Sequence, residues 1–570
     1  MELFLIDAIG PFFKGYNRKN INWSKIPFDH IALQGPEREN QFKQIRQDMD
    51  VFTDKVAQIG YNAVSLDDLA HLADHPWYEE DIRKSIKVYQ EEYKKIFSII
   101  ESKNMSIYLT MDACSFTPAL KKKLNDSFEH ILNFLSESID QFFVDFPQVA
   151  GLIVRIGESD GLDVEGEFRS ELVLKTPQMV NRFLKKLLPV FEKHQRRMIL
   201  RTWTVGAYQI GDLIWHRGTF QRAFENIDSS ALVISMKYGE SDFFRYLPLN
   251  KNFFRTSIPK IIELQSRREY EGCGEYPSFI GWDYEHYARE LKQAPNILGI
   301  SVWCQTGGWV PFRRLTYLDN SSIWNEINTY ITLRLFRDNC SVEHTIKDLV
   351  GEQRAGDYLE FFRLNDEVIK ELLYTEEYAS QKLFFRRVRI PPLMGVYWNN
   401  IFINHSMRKI IRHFVVDGDA SVRAGYSALA KIKLMKSLAE QLDLPVEDII
   451  YMKRTFKLLA LSRQYFFQPY DDKIRKRLKK AKRKYKRYYP VGTRHRYTIK
   501  LRFEPFRVHS RFIKWTLSLL LRRQRGYRMI DQVFTIHLLS YIYFVIRKTR
   551  SKWVPEFARK SAMGIDTVFR

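Results

Sequence analysis

Eight short β-type runs recur along the first 310 residues, each followed by a helix-compatible stretch. In order they are "LFLIDAIG", "NAVSLDD", "SIYLTMD", "GLIVRIGE", "MILRTWTV", "ALVISMKY", "KIIELQ" and "GISVWCQ". Helical patterns such as "EEDIRKSIKVYQEEYKKIFSIIESK" and "QMVNRFLKKLLPVFEKHQ" lie between them. Strand–helix alternation predicts parallel βα units, because a helical crossover is what carries the chain from one parallel strand to the next. Eight such units predict a closed (β/α)8 barrel, the TIM-barrel architecture, with loops longer than usual. An open doubly wound sheet is the competitor, but no glycine-rich dinucleotide fingerprint follows the first strand.

The informative residues sit where these strands end. Asp7, Asp67, Asp68, Asp112, Arg155, Glu158, Arg201, Trp203, Lys237, Glu263, Gln265, Trp303 and Gln305 all lie at or just beyond a strand's C-terminal end. In a barrel those ends form one face, where binding and chemistry are normally built. Any one of these residues alone reads as a solvated loop charge, and ion pairs inside the barrel mouth are the plain alternative for the set. The same bias at seven strand ends favours a shared pocket. Its carboxylates can serve as acid and base on a glycosidic bond, and Trp203, Trp303 and Trp309 offer flat apolar surfaces for sugar rings. Arg201 and Lys237 can neutralise an anionic group on a substrate. No HxH, HExxH or Cys/His cluster accompanies them, so neither a metal nor a cofactor is expected.

Two segments extend this reading. "SMKYGESDFF" followed by "IIELQSRREYEG" resembles the family 67 glycoside hydrolases, the α-glucuronidases. Lys237 with Asp242-Phe243 keeps the family's Lys-to-Asp-Phe spacing, and Glu263-Leu264-Gln265 with Glu269-Tyr270-Glu271-Gly272 keeps its second motif. "LRTWTVGAY" is similar to the Arg-bearing fifth strand, which implies Arg201 at a substrate carboxylate. The likeness runs over roughly residues 150 to 350, into "INTYITLRLFRDNCSVEHTIKDLV". It implies an inverting hydrolase of an acidic, uronic-acid-containing or otherwise complex glycan, with Asp242 and Glu263 on the base side and Glu158 (or Asp160) as the acid. Arg155, Arg201, Trp203, Lys237, Gln265, Glu269, Tyr270, Trp303 and Trp309 are the expected substrate contacts. The family's N-terminal β-domain has no counterpart ahead of the first strand. Two other readings stay open: a barrel aldolase with Lys237 as Schiff-base lysine, and a glycan-binding or polysaccharide-assembly protein without turnover.

The domain expectation is a barrel over 1–319, a helical domain over 320–470 and a strongly basic, amphipathic helical tail over 471–570. Residues 320–470 read as helical throughout, and "PPLMGVYWNNIFINH" within them suits core packing, the pocket wall or a homodimer contact. The net charge of +23 is concentrated: Lys473–Arg528 holds 22 Lys and Arg against one acid, Glu504. Downstream, "RFIKWTLSLLLRRQRGYR" and "MIDQVFTIHLLSYIYFVIRKTRSKW" alternate apolar blocks with cationic flanks. The tail is therefore expected on an anionic membrane surface, with a polyanion such as nucleic acid as the second candidate, and the near-neutral remainder is expected to fold without it. Four scattered cysteines point to a reducing compartment, and "MELFLIDAIGPFF" reads as a strand and not a leader. A cytoplasmic protein, peripheral on the membrane, is the resulting expectation.

Overall fold

The computed structural model describes residues 1–16, 21, 24–156, 166–171, 173–202, 218–239, 242–308, 314–380, 384–385, 388–389, 393–397, 400–490 and 496–503, with positions 541, 545, 548 and 549. All eight expected strands form: β1 Leu3–Asp7, β2 Ala63–Asp67, β3 Ser106–Asp112, β4 Val149–Arg155, β5 Arg197–Arg201, β6 Leu232–Lys237, β7 Lys260–Gln265 and β8 Ile297–Trp303. They pair in parallel in chain order, and β8 closes on β1 with Leu3 opposite Gly299 and Leu5 opposite Ser301. A side chain at Gly299 would bring its Cβ to 1.7 Å from the Leu3 carbonyl oxygen, so closure at this seam needs glycine.

Side chains alternate along each strand. Leu5, Ala63, Tyr108, Ile153, Ile199, Val233 and Ile261 pack together inside the barrel. Phe4, Ile6, Val64, Leu66, Leu152, Val154, Leu200, Met236, Leu264 and Val302 point the other way into the larger core under the helices. That parity, continued to the strand ends, aims Asp7, Asp67, Arg155, Arg201, Lys237, Glu263 and Trp303 inward at the top of the barrel.

The outer ring has α1 Gly35–Ile59, α2 Glu80–Ser102, α3 Phe128–Asp145 and α4 Pro177–Lys193, then two short helices, α5 Thr219–Ala223 and α6 Asn252–Arg255, and finally α7 Gly281–Leu291 and α8 Ile323–Arg337. α2, α3 and α4 are amphipathic, and each buries an apolar edge, such as Val180, Phe183, Leu184, Leu187 and Phe191 of α4. Burying one such side chain fully is worth roughly 1.5–3 kcal/mol.

Beyond α8 the chain is mainly helical: α9 Val342–Val350, α10 Glu352–Leu372, α11 His405–Phe414, α12 Gly418–Gln441, α13 Val446–Phe467 and α14 Asp472–Tyr488. A small sheet interrupts it. Strand β9 Asn400–Asn404 pairs with Val396–Tyr397 and, in parallel, with β10 Thr498–Arg502. The "PPLMGVYWNNIFINH" segment thus supplies strand as well as core. The jump in charge near residue 472 is not matched by a gap in packing. Ile474, Leu478, Tyr485, Tyr489, Tyr497 and Ile499 are buried, and the Tyr497 hydroxyl lies 3.0 Å from that of Tyr276 in the loop after β7. The rest of the basic tail lies outside the described residues, apart from four positions. Among the described residues no helix is long and apolar enough to cross a membrane.

Candidate active site

The barrel mouth holds two charged clusters. The first belongs to β2, β3 and β4. Asp112 lies 2.6 Å from Lys25 Nζ and 2.9 Å from Arg155 Nε, and it accepts a hydrogen bond from the Ser170 hydroxyl. Burial pushes its carboxyl up, but the Arg155 and Lys25 charges outweigh that and hold it below the ordinary value. Arg155 also donates to the Ser24 carbonyl at 2.8 Å. Asp67 accepts from the Ile26 amide (2.9 Å) and the Thr110 hydroxyl (2.5 Å). Its pKa is raised, chiefly by burial, with Arg155 opposing and Asp68 adding to the rise. Asp68 stands 3.3 Å from Lys25.

The second cluster belongs to β5–β8. Arg201 donates Nε to Glu263 Oε1 (3.0 Å) and Nη2 to Oε2 (3.2 Å), and Ser235 Oγ donates to Oε1 at 2.7 Å. Glu263 is 1% exposed, and its two oxygens are engaged. Arg201 also lies over the Trp303 ring at 4.4 Å. Next to it, Lys237 Nζ donates to Asp242 Oδ1 (2.7 Å) and lies 5.1 Å from the Trp303 ring centroid. Asp242 Oδ2 accepts from the Tyr270 hydroxyl at 2.6 Å, and Oδ1 accepts from the Phe243 amide at 3.1 Å. Donors thus engage both oxygens of Asp242.

Glu269 behaves oppositely. Its pKa is raised to about 7, first by burial and then by the nearby Asp242 charge, against the pull of Arg267 and Lys237. The Gln265 side chain, which the sequence places in the substrate set, accepts from the Glu269 amide at 2.8 Å and so orients the start of this loop. Gly307, at φ +103°, brings β8-loop backbone close: a Cβ there would sit 3.0 Å from both Glu269 Oε2 and Gln265 Nε2.

Beneath these groups a cavity of about 40 Å3 is lined by Asp7, Asp67, Arg155, Arg201, Glu263 and Trp303, among others. That is room for one or two waters, far below the several hundred Å3 of a ligand pocket. Segments 157–165, 203–217, 240–241 and 309–313 lie outside the described residues. Glu158, Asp160, Trp203 and Trp309 lie in those segments. Of the remaining expected residues, Arg201, Lys237, Asp242, Glu263, Gln265, Glu269, Tyr270 and Trp303 come together around β5–β8. Arg155 pairs with Asp112 and lines the same cavity from the β2–β4 side.

Several participants were not evident from sequence. Ser235 and Thr110 carry the inward parity of their strands, so that signal was present. Lys25 comes from a loop and Ser170 from a two-residue strand, Arg169–Ser170, paired with Ser115–Phe116, and neither had one. Asp7, expected on the functional face, accepts from the amides of Cys304 and Gln305 and from the Thr306 amide and hydroxyl, which makes it the clasp of the β1–β8 seam. Among the described residues no group of acids, histidines and cysteines could hold a metal ion.

No family model matches the chain. No curated protein matches it. Among solved structures, it is similar to a GH138 enzyme targeting pectin rhamnogalacturonan II, at 13% identity and a TM-score of 0.50, over 82% of this chain and 57% of the other. The chain thus spans less than two thirds of that enzyme's length. It is also similar to a Thermobaculum terrenum O-GlcNAc hydrolase, at 11% identity and a TM-score of 0.38, over 89% and 94% of the two chains. At 13% identity the likeness to the GH138 enzyme shows the fold alone.

Proposed function

We propose that this protein is a glycoside hydrolase whose reacting groups are carboxylates at the β6 and β7 ends of the barrel. One observation carries the reading: two neighbouring carboxyls with opposed environments, Asp242 accepting from Lys237 and Tyr270, and Glu269 buried beside it with its pKa raised to about 7. Such a split is how one site supplies both an acid and a base at neutral pH.

In the reaction, Glu269 protonates the leaving glycosidic oxygen, and Asp242 takes a proton from the attacking water. Tyr270 and Lys237 hold Asp242 aimed. Glu263, bound on both oxygens, orients Arg201 and shapes the pocket floor beside Trp303. The resemblance to the α-glucuronidases supports an inverting course and an acidic glycan, and it nominates Glu158 as the acid with Asp242 and Glu263 opposite. Lys237 as a Schiff-base lysine has less support, because its amine is held 2.7 Å from a carboxylate.

The test is a screen of glycosides on the purified protein, followed by variants on whichever substrate turns over. Asp242→Asn should lower the rate by about 10²–10⁴-fold. Loss of the acid hurts substrates with poor leaving groups most, so Glu269→Gln should retain far more rate on an activated aryl glycoside than on a natural linkage. If Glu158→Gln shows that pattern and Glu269→Gln does not, the acid is Glu158. An Asp242→Asn variant at wild-type rate would overturn the site. Arg201→Ala should weaken uronic-acid ligands more than neutral ones, and equal loss would remove the acidic-glycan reading.

A further inference from the structure

Helix α14 turns one edge, Ile474, Leu478 and Tyr485, into the protein. The rest of it is mainly cationic: Lys473–Arg487 holds eleven Lys and Arg in fifteen residues. Lys476, Lys479, Lys480, Arg483, Lys486 and Arg487 are exposed. Asp472 pairs with Arg475, and Asp471 caps the helix by accepting from the Ile474 amide at 2.7 Å, so the two carboxylates sit at its first turn. Arg454 of α13 joins the row by stacking on Tyr488 at 3.8 Å, with Lys484 over the same ring at 5.6 Å. The helix is held firmly, since Tyr485 donates to the Tyr451 hydroxyl (3.4 Å) and accepts from the Tyr497 amide (3.1 Å). A row of like charges fixed on a rigid frame repels itself unless an anionic surface screens it.

Two features select the kind of surface. Tyr541 and Val545, one helical turn apart, are exposed, at 68% and 39%. The sequence around them sets apolar blocks between cations and tryptophans, with Trp515 before them and Trp553 after. Apolar side chains have no use on a phosphate backbone or a charged polysaccharide, whereas a lipid interface takes up both kinds of group. We propose that the exposed cationic face of α14 docks the protein on an anionic lipid bilayer, as a peripheral attachment. This inference stands independently of the glycosidase reading. Through Tyr497 and Tyr276 the docking helix is packed against the loop that carries Glu269 and Tyr270, so attachment would hold the site near the surface.

The experiment is flotation of the full-length protein with phosphatidylcholine vesicles, with and without phosphatidylglycerol, at low and high salt. Flotation is expected only with the anionic vesicles, falling with salt as screening shortens to about 3 Å at 1 M. The variant K476Q/K479Q/K480Q/R483Q, whose four positions are all exposed, should bind anionic vesicles about tenfold or more weakly with an unchanged melting temperature. Absence of flotation with anionic vesicles at low salt overturns it. So does equal flotation with neutral vesicles, or tight binding to double-stranded DNA or inorganic polyphosphate without vesicle binding.

Discussion

Glu269 and Glu263 are six residues apart and chemically the same, yet they do different things. Glu263 points into the barrel, where Arg201 and Ser235 take up its oxygens. Glu269 is buried beside Asp242, and both conditions favour its protonated form. The folded state therefore binds a proton at Glu269 that the unfolded chain has released above its ordinary value of 4.5. The associated stability is fully present below about pH 4.5 and is lost as pH rises through about 7. Glu269→Gln removes that loss, so it should raise the melting temperature at pH 8 relative to wild type and change it much less at pH 4. Thermal melts across that range check this without any substrate. With a substrate in hand, the wild-type rate should fall on the alkaline side near pH 7, and the Gln variant should lack that limb.

At the scale of elements, the loop after β7 decides the site, and the helical domain holds that loop. Glu271, immediately after Tyr270, is engaged by Arg245 and Arg268, and it accepts from the Ser278 hydroxyl and the Tyr374 hydroxyl beyond α10. Arg245 in turn reaches Asp283 of α7 and Asp366 of α10. The two guanidinium groups outweigh burial and hold the Glu271 carboxyl well below the usual carboxylate range. Glu271→Ala would leave two buried cations short of their partner and should cost about 3–5 kcal/mol, read from urea denaturation. A second prediction concerns α14 and β10. A chain ending after Asp471 loses Ile474, Leu478, Tyr485 and Tyr497 from buried positions and strips β10 from β9. It should melt well below a chain ending after Phe503, which keeps those contacts; equal melting temperatures would mean that the basic segment is dispensable, as its charge alone implies.

Over the whole molecule, the four cysteines report on packing. Cys114, Cys273 and Cys304 are buried, and burial raises each thiol, Cys273 to about 12. Cys340, after α8, is partly exposed. An aromatic disulfide reagent should therefore label one thiol rapidly in the native protein and four after denaturation; two or more fast thiols would show that the barrel opens. Charge is also divided at this scale. The barrel mouth pairs its charges internally, whereas α14 leaves its cations outward, so salt should affect surface binding far more than folding.

The strands, their order and the inward parity of Asp7, Asp67, Arg155, Arg201, Lys237, Glu263 and Trp303 were determined by the sequence alone. They follow from local rules: the two-residue strand period, the alternation with helices, and the place where each apolar run stops. The roles of those residues were decided only by the tertiary structure. Asp7 became a seam clasp because Cys304, Gln305 and Thr306, almost three hundred positions away, present their amides to it. Glu263 was closed off by Arg201 from two strands back, and Glu269 was raised by Asp242 from the preceding loop. The basic run was read from charge as a separable tail, but Leu478, Tyr485 and Tyr497 bury it against α13 and Tyr276. Local pattern decides which way a side chain faces; the free energy of a charge depends on what lies within a few ångströms of it, and that is set by chain segments far apart in sequence.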